Sequence, residues 1–296
     1  SAGSIIRNEG SVSYNVGNIT QNAEIASDEF TVDQRVNVTV GFIGSATVVN
    51  PGQEGAAIAF DVTNLSNSIV DLDLDAALRN GTDANIGDFL IYRDTNGDRV
   101  LDATEEAAGP ISFLDEVGSS ATGVTVAVIV VTDISLNAAN ADTFDVTLTA
   151  NAHAAGGVGL GAELVESAGN TSGIDTVLFD GQGDTDAVRD GAFSDTGTYT
   201  VAGAVVTVAK TSRVVEDPVN GINNPKAIPG ATVEYCITVA NASGAVTATD
   251  VAVSERQDHV MRGDRGTNAR QAVRRARAVT QPALHTRRVR RRREAV

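Results

Sequence analysis

The stretch "DFLIYRDTNGDRVLDATEEAAGP", Asp88 to Pro110, decides the fold, because its middle reads as a helix-loop-helix calcium loop while its flanks do not read as two helices. Counting Asp94 as position 1 places Asn96 at 3, Asp98 at 5, the Val100 carbonyl at 7, Asp102 at 9 and Glu105 at 12, the ligand order of an EF-hand. Position 6, where that loop uses glycine for its sharp bend, is Arg99, and Gly97 comes two places early. Before the loop, "DFLIY" has the length and composition of a short strand, and "ATEEAAGP" after it leaves room for one helical turn at most. The expectation is an EF-like calcium site carried on a β scaffold. The competing reading is a hairpin turned by Asn96-Gly97 with its acids solvated.

Outward from this stretch the chain keeps the period of a strand. Alternating runs recur in "RVNVTVGF", "AAIAFDVTNL", "VDLDLDAAL", "VTVAVIVVTDISL", "TFDVTLTANA", "YTVAGAVVTVAK" and "TVEYCITVAN", separated by Gly, Asn, Asp and Ser clusters, and no amphipathic helix stands out. The core must be aliphatic, since there is no Trp and only 8 Phe and 4 Tyr in 296 residues. These features predict an all-β chain of antiparallel β-sandwich domains. "NPGQEGAAIAFDVTNLSNS" (Asn50 to Ser68) and "IPGATVEYCITVANASGA" (Ile228 to Ala245) share the order Pro-Gly, strand, Val-x-Asn. Pro51-Gly52 and Pro229-Gly230 should turn the chain into a strand, and Asn64 and Asn241 should end it through the left-handed conformation that Asn tolerates. The expected organisation is N-terminal strands over 1–40, a sandwich with calcium-type loops over 41–205, an incomplete second domain over 206–254, and an Arg-rich tail over 255–296.

"VTVAKTSRVVEDPVNGINNPKAIPGATVEYCITVANASGAVTATDVAVS" (Val206 to Ser254) resembles the opening of the Ig-like repeats called domain of unknown function eleven, found in secreted and cell-surface proteins of bacteria. "IYRDTNGDRVLDATEE" and "SAGSIIRNEGSVSYNVG" are more loosely similar to segments of such surface proteins, where acidic loops of this sort are read as calcium sites. The resemblance implies a β-sandwich, export and a structural or adhesive role, and no catalytic residues. It stops at Ser254. Thirteen Arg against four acidic residues give the last 42 residues +9, whereas the preceding part has 9 basic and 34 acidic residues, or −25, the two summing to the −16 of the whole chain. A nucleic-acid arm, a partner-binding arm folded on the acidic body, and a shifted reading frame are three accounts of that change; the −25 body disfavours DNA.

A second acidic run, "DGQGDTDAVRDG", offers Asp180, Asp184, Asp186 and Asp190 as hard-oxygen ligands on a glycine-rich loop. Asp71, Asp73 and Asp75 share one strand face by their period of two and read as solvated. Catalysis has little to work with: of three His, two lie in the Arg-rich tail, and His153 sits at a strand end. The lone Cys236 excludes an internal disulfide. No apolar run approaches the roughly 20 residues of a membrane helix. The functional expectation is a non-enzymatic, calcium-stabilised extracellular protein of the bacterial surface, a spacer or fibre (pilus-like) subunit, with no nucleic-acid partner. An adhesin-type module for a glycan or protein is the alternative. With no charged and apolar leader before "SAGSII", either the protein is cytoplasmic or a signal peptide has been removed, and the start at Ser1-Ala2-Gly3 fits the second better; the strands of "GSIIRNEGSVSYNV" either complete their own sheet or join a neighbour by strand addition.

Overall fold

A computed structural model describes residues 1–243 and 245–254 together with Arg275 and Ala276. The chain is all-β and divides into two compact units, the first Ser1–Val201 and the second beginning at Ala202. That boundary lies four residues before the expected one, and the first forty residues belong to the first unit.

In the first unit, β1 (Ile5–Val12) pairs with β4 (Glu24–Thr31), and β2 (Asn15–Val16) with β3 (Ile19–Thr20), to make one N-terminal hairpin. Its tip turns at Gly17 and Asn18, φ 55° and 66°, the paired left-handed conformations of a type I′ turn. Its two strand pairs are separate two-stranded sheets, and neither completes a sheet of the sandwich.

The sandwich follows. β5 (Gln34–Val36), β6 (Val38–Ile43), β7 (Thr47–Val49), β8 (Ala56–Asn64), β9 (Val70–Asn80), β10 (Leu90–Asp94), α1 (Ala103–Ala108), β11 (Phe113–Val117), β12 (Val124–Thr132), β13 (Thr143–Ala154), β14 (Thr176–Leu178) and β15 (Ala192–Val201) succeed one another in the chain. One sheet runs β10-β12-β8-β6 and the other β11-β9-β13-β15-β7. Pairing is antiparallel except at β14 with β5 and β15 with β7, which are parallel. The expectation of a purely antiparallel architecture is corrected there.

Alternation explains which side chains meet. Ala56, Ile58, Phe60 and Val62 of β8 point inward and are buried, as are Phe144, Val146, Leu148 and Ala150 of β13. Each large aliphatic or aromatic side chain sealed between the sheets contributes about 1.5–3 kcal/mol. Tyr199 on β15 sits fully buried among them, its hydroxyl 3.1 Å from the carbonyls of Ala56 and Val130 on the facing sheet. Burial pushes its phenol pKa above the ordinary tyrosine value. Pro51-Gly52 acts as expected, Gly52 having φ 75°. Asn64 does end β8, but by its side chain: Nδ2 donates to the carbonyls of Ser68, Val117 and Gly118, while Oδ1 accepts from Ser66 N–H.

In the second unit β16 (Val206–Glu216) and β17 (Thr232–Asn241) form an antiparallel pair, with a register shift between Val214 and Glu216. Gly230 takes φ 87°, and Asn241 ends β17 as Asn64 ends β8, donating to Val246 O and accepting from Val205 N–H. β18 (Val253–Ser254) pairs with β19 (Arg275–Ala276). The rest of the Arg-rich tail lies outside the described residues.

Candidate metal-binding loop

The Asp94–Glu105 loop leaves the end of β10 and enters α1, so its N-terminal flank is a strand and its C-terminal flank a six-residue helix, a little more than the one turn expected. Leu101 anchors the loop by packing on Tyr92, Ile129 and Val131 on the outer face of the four-stranded sheet. Asp94 is buried, its Oδ1 accepting from Gly97 N–H at 2.6 Å and its Oδ2 from Arg99 N–H at 3.0 Å. Asn96 Oδ1 accepts from Asp98 N–H and Asp98 Oδ1 from Val100 N–H, both at 2.9 Å. Short polar side chains at every second position thus satisfy backbone N–H groups further along the loop, two residues on for Asn96 and Asp98 and three and five residues on for Asp94. The glycine-type bend is present without the glycine: Arg99 itself has φ 67°, and Gly97 has φ 76°.

Asp102 is the N-cap of α1. Its Oδ1 accepts from Thr104 N–H at 2.7 Å and Glu105 N–H at 3.0 Å, and Glu105 Oε2 accepts from Asp102 N–H, completing a capping box. The Glu105 and Thr104 N–H groups hold the Asp102 carboxyl below the ordinary carboxylate range. Glu105 is buried and spends Oε1 on the N–H and hydroxyl of Thr95.

Three of the six expected ligands converge. Asn96 Nδ2 donates to Asp98 Oδ2 at 3.1 Å and to Asp102 Oδ2 at 3.2 Å, so two carboxylate oxygens close on one partial positive charge. Asp94 and Glu105 instead face backbone donors, and Val100 contributes its N–H to Asp98. As the side chains stand, no group of three or more His, Cys, Asp or Glu among the described residues is gathered for a metal ion. Arg99 supplies the local cation, its Nη1 2.6 Å from Asp61 Oδ1 on β8 and 3.8 Å from Asp94 Oδ2. Asp61, Arg93, Thr125 and Ala127 line a shallow depression beside the loop. Asp61 lies on the solvent-side alternation of "AAIAFDVTNL", and nothing local in the sequence couples it to Arg99.

In the second acidic loop the carboxylates point to different places. Asp180 is buried and accepts from the N–H groups of Asp190 and Gly191, each at 3.0 Å. Asp184 pairs with Arg79 at 2.9 Å, Asp186 accepts from Gly183 N–H and the Ser194 hydroxyl, and Asp190 accepts from the N–H groups of Ala187 and Ala192. Asp180, Asp186 and Asp190 are thus engaged in shaping the turn, and Asp184 ties it to β9 through Arg79.

Asp71 departs from the solvated reading, being fully buried, while Asp73 and Asp75 stay at least partly open to solvent. Its two oxygens accept from Glu116 N–H at 2.9 Å and Gly161 N–H at 3.1 Å, because the chain around Gly161 folds over this face of β9 and β13. His153, the cross-strand partner of Asp71, places Nδ1 2.8 Å from Gly161 O. Both groups are thus structural fastenings of that loop. Cys236 stands opposite Thr211 in the β16–β17 pair, half-buried.

No family model and no curated protein matches the chain. Among solved structures it is similar to the C-terminal domain of the Streptococcus agalactiae AgI/II polypeptide BspA, at 8% identity over 68% of this chain and 60% of that one, with a TM-score of 0.29. Among the described residues no helix is long and apolar enough to cross a membrane.

Proposed function

We propose that this chain is a non-enzymatic structural protein of the bacterial exterior, a spacer or fibre subunit whose Asp94–Glu105 loop binds calcium. The observation that carries the reading is the approach of Asp98 Oδ2 and Asp102 Oδ2 to a single amide, in a loop whose backbone already takes the glycine-type bend at Arg99. A cation entering there replaces the Asn96 amide hydrogens with a full charge and gains Asp94 as a further oxygen donor to the extent that it outcompetes the Arg99 guanidinium, 3.8 Å from Asp94 Oδ2. Loop oxygens on a rigid two-sheet scaffold suit an ion that stiffens a connection. The surface assignment is supported by the resemblance of Val206 to Ser254 to repeats of secreted proteins and by the acidic charge of the sandwich, which attracts cations.

Calorimetric melting in CaCl₂ and in EDTA tests it. At tenfold excess over its dissociation constant, one calcium stabilises the folded state by about 1.4 kcal/mol, which is a rise of roughly 3–6 °C for a unit of this size. An unchanged melting temperature rejects the calcium assignment, and magnesium at equal concentration should produce a smaller rise because it tolerates irregular loops less well.

A further inference from the structure

We propose that the N-terminal hairpin is a dimerisation arm in which β1 pairs antiparallel with β1 of a second copy about Asn8, making a four-stranded sheet β4-β1-β1-β4. The inference goes beyond the calcium reading and does not depend on it.

The hairpin needs a third strand. Every residue of β1 and all of β4 except Thr31 are exposed, including Ile5, Ile6, Val12, Ile25 and Phe30. A two-stranded ribbon exposed on both faces is marginal in water, and a long unpaired edge invites another strand. The direction of the free groups follows from the register. Ser4 O accepts from Val32 N–H at 2.8 Å, which puts the even residues of β1 in bonded pairs with β4 and turns the N–H and C=O groups of Ile5, Arg7, Glu9 and Ser11 outward.

Charge selects the partner and the register. About a twofold axis at Asn8, Arg7 of each copy stands opposite Glu9 of the other in a bonded pair, twice, and Ile5 stands opposite Ser11. Outward-facing residues meet only outward-facing residues, as an antiparallel ladder requires. Within one chain Arg7 reaches Glu9 at only 3.4 Å and otherwise bonds the Ser27 hydroxyl, so it is available to a second carboxylate. The β4 edge, with Glu24, Asp28 and Glu29 and no basic residue, offers no such match.

Gly10 is the independent sign. It sits in the middle of β1 without a left-handed φ, and a Cβ built on it meets nothing within 4 Å, so the single hairpin gives no reason for glycine. Strand-interior glycine weakens a strand and often marks a close approach by another chain. In the proposed register Ile6 of the second copy lies over Gly10, and the face reads Phe30, Ile6, Gly10, Ala26 across the four strands, large side chains beside small ones.

Sedimentation velocity of the full chain tests the arm. Wild type should form a dimer with increasing concentration. Arg7→Glu and Glu9→Arg should each raise the dissociation constant by roughly ten-fold, since each sets like charges opposite one another twice, and the double variant should restore it. Gly10→Val should also weaken the dimer, although a role confined to the single hairpin predicts the reverse, because valine favours strands. A monomer at every concentration, the outcome if another part of the same chain covers β1, overturns the proposal. So does a dimer indifferent to Arg7→Glu.

Discussion

Arg99 reaches from a left-handed backbone position to Asp61 on β8, in the same sheet as the β10 strand that the loop leaves, Nη1 to Oδ1 at 2.6 Å, and in doing so holds a positive charge 3.8 Å from Asp94 Oδ2. The arginine therefore acts twice on the loop. It keeps the bend at a cost of about 1 kcal/mol that glycine would not incur, and it competes with any cation for the Asp94 carboxylate.

Arg99→Gly should accordingly tighten calcium binding, by roughly three- to ten-fold at low ionic strength, since it relieves the backbone and removes a like charge close to the ligands. Isothermal titration of both proteins reads this directly. Equal or weaker affinity in the variant would show that Arg99 is not the obstacle.

Tyr199→Phe should lower the stability of the first unit by about 1 kcal/mol. The lost hydroxyl leaves the carbonyls of Ala56 and Val130 without their donor from the facing sheet. Urea unfolding monitors the change, and a loss below a few tenths would mean that the hydroxyl adds nothing to the join between the sheets.

Much of this architecture is legible in the chain and part of it is not. The runs at Ala56–Asn64, Val70–Asn80, Val124–Thr132, Thr143–Ala154 and Thr232–Asn241 read as strands because one face of each meets a core, which forces alternation. β4, with three acids in eight residues of which all but Thr31 are exposed, and β11, "FLDEV", lack that signal. β15 hides its start because Gly197 interrupts the apolar face, and it must: a Cβ there would press on Phe42 and Ile58 at 2.8 and 2.9 Å. In the loop, the alternation of Asp94, Asn96 and Asp98 is readable because each serves a backbone group two to five residues away. The Asp61 contact with Arg99 and the Gly161 contact with Asp71 join distant segments, and nothing nearby in the chain signals them.

Gly161→Ala should destabilise the first unit by roughly 2 kcal/mol or more. A Cβ at that position collides with the Ala154 carbonyl, which is backbone and cannot turn aside, and retreat of the loop strips a donor from the buried Asp71. Thermal unfolding measures the loss; an unchanged midpoint would mean that the loop shifts without disturbing Asp71.

The second unit should soften in acid through Asp217. The N–H of Asn220 foremost, with those of Lys226 and Val219, lowers its carboxyl pKa from 3.8 to about 2. A folded value below the unfolded one means that stabilisation is complete above about pH 4 and drains away as pH falls towards 2. Carbon-detected NMR titration should place the Asp217 midpoint near 2, and Asp217→Asn should remove this component of the acid dependence. A midpoint near 3.8 would contradict the network.

The two parallel pairs have a consequence for how such a chain is made. β7 finds β15, and β5 finds β14, only when segments some 140 to 150 residues apart meet, as the Phe42 N–H bond to Asp195 across 153 residues illustrates. Closing so large a ring is slow relative to local pairing. A polypeptide emerging N-terminus first, from a ribosome or through an export channel, therefore has β5 and β7 waiting with unfilled ladders until the segment ending at Val201 arrives, so the last fifty residues of the first unit set the moment at which it becomes resistant to proteolysis.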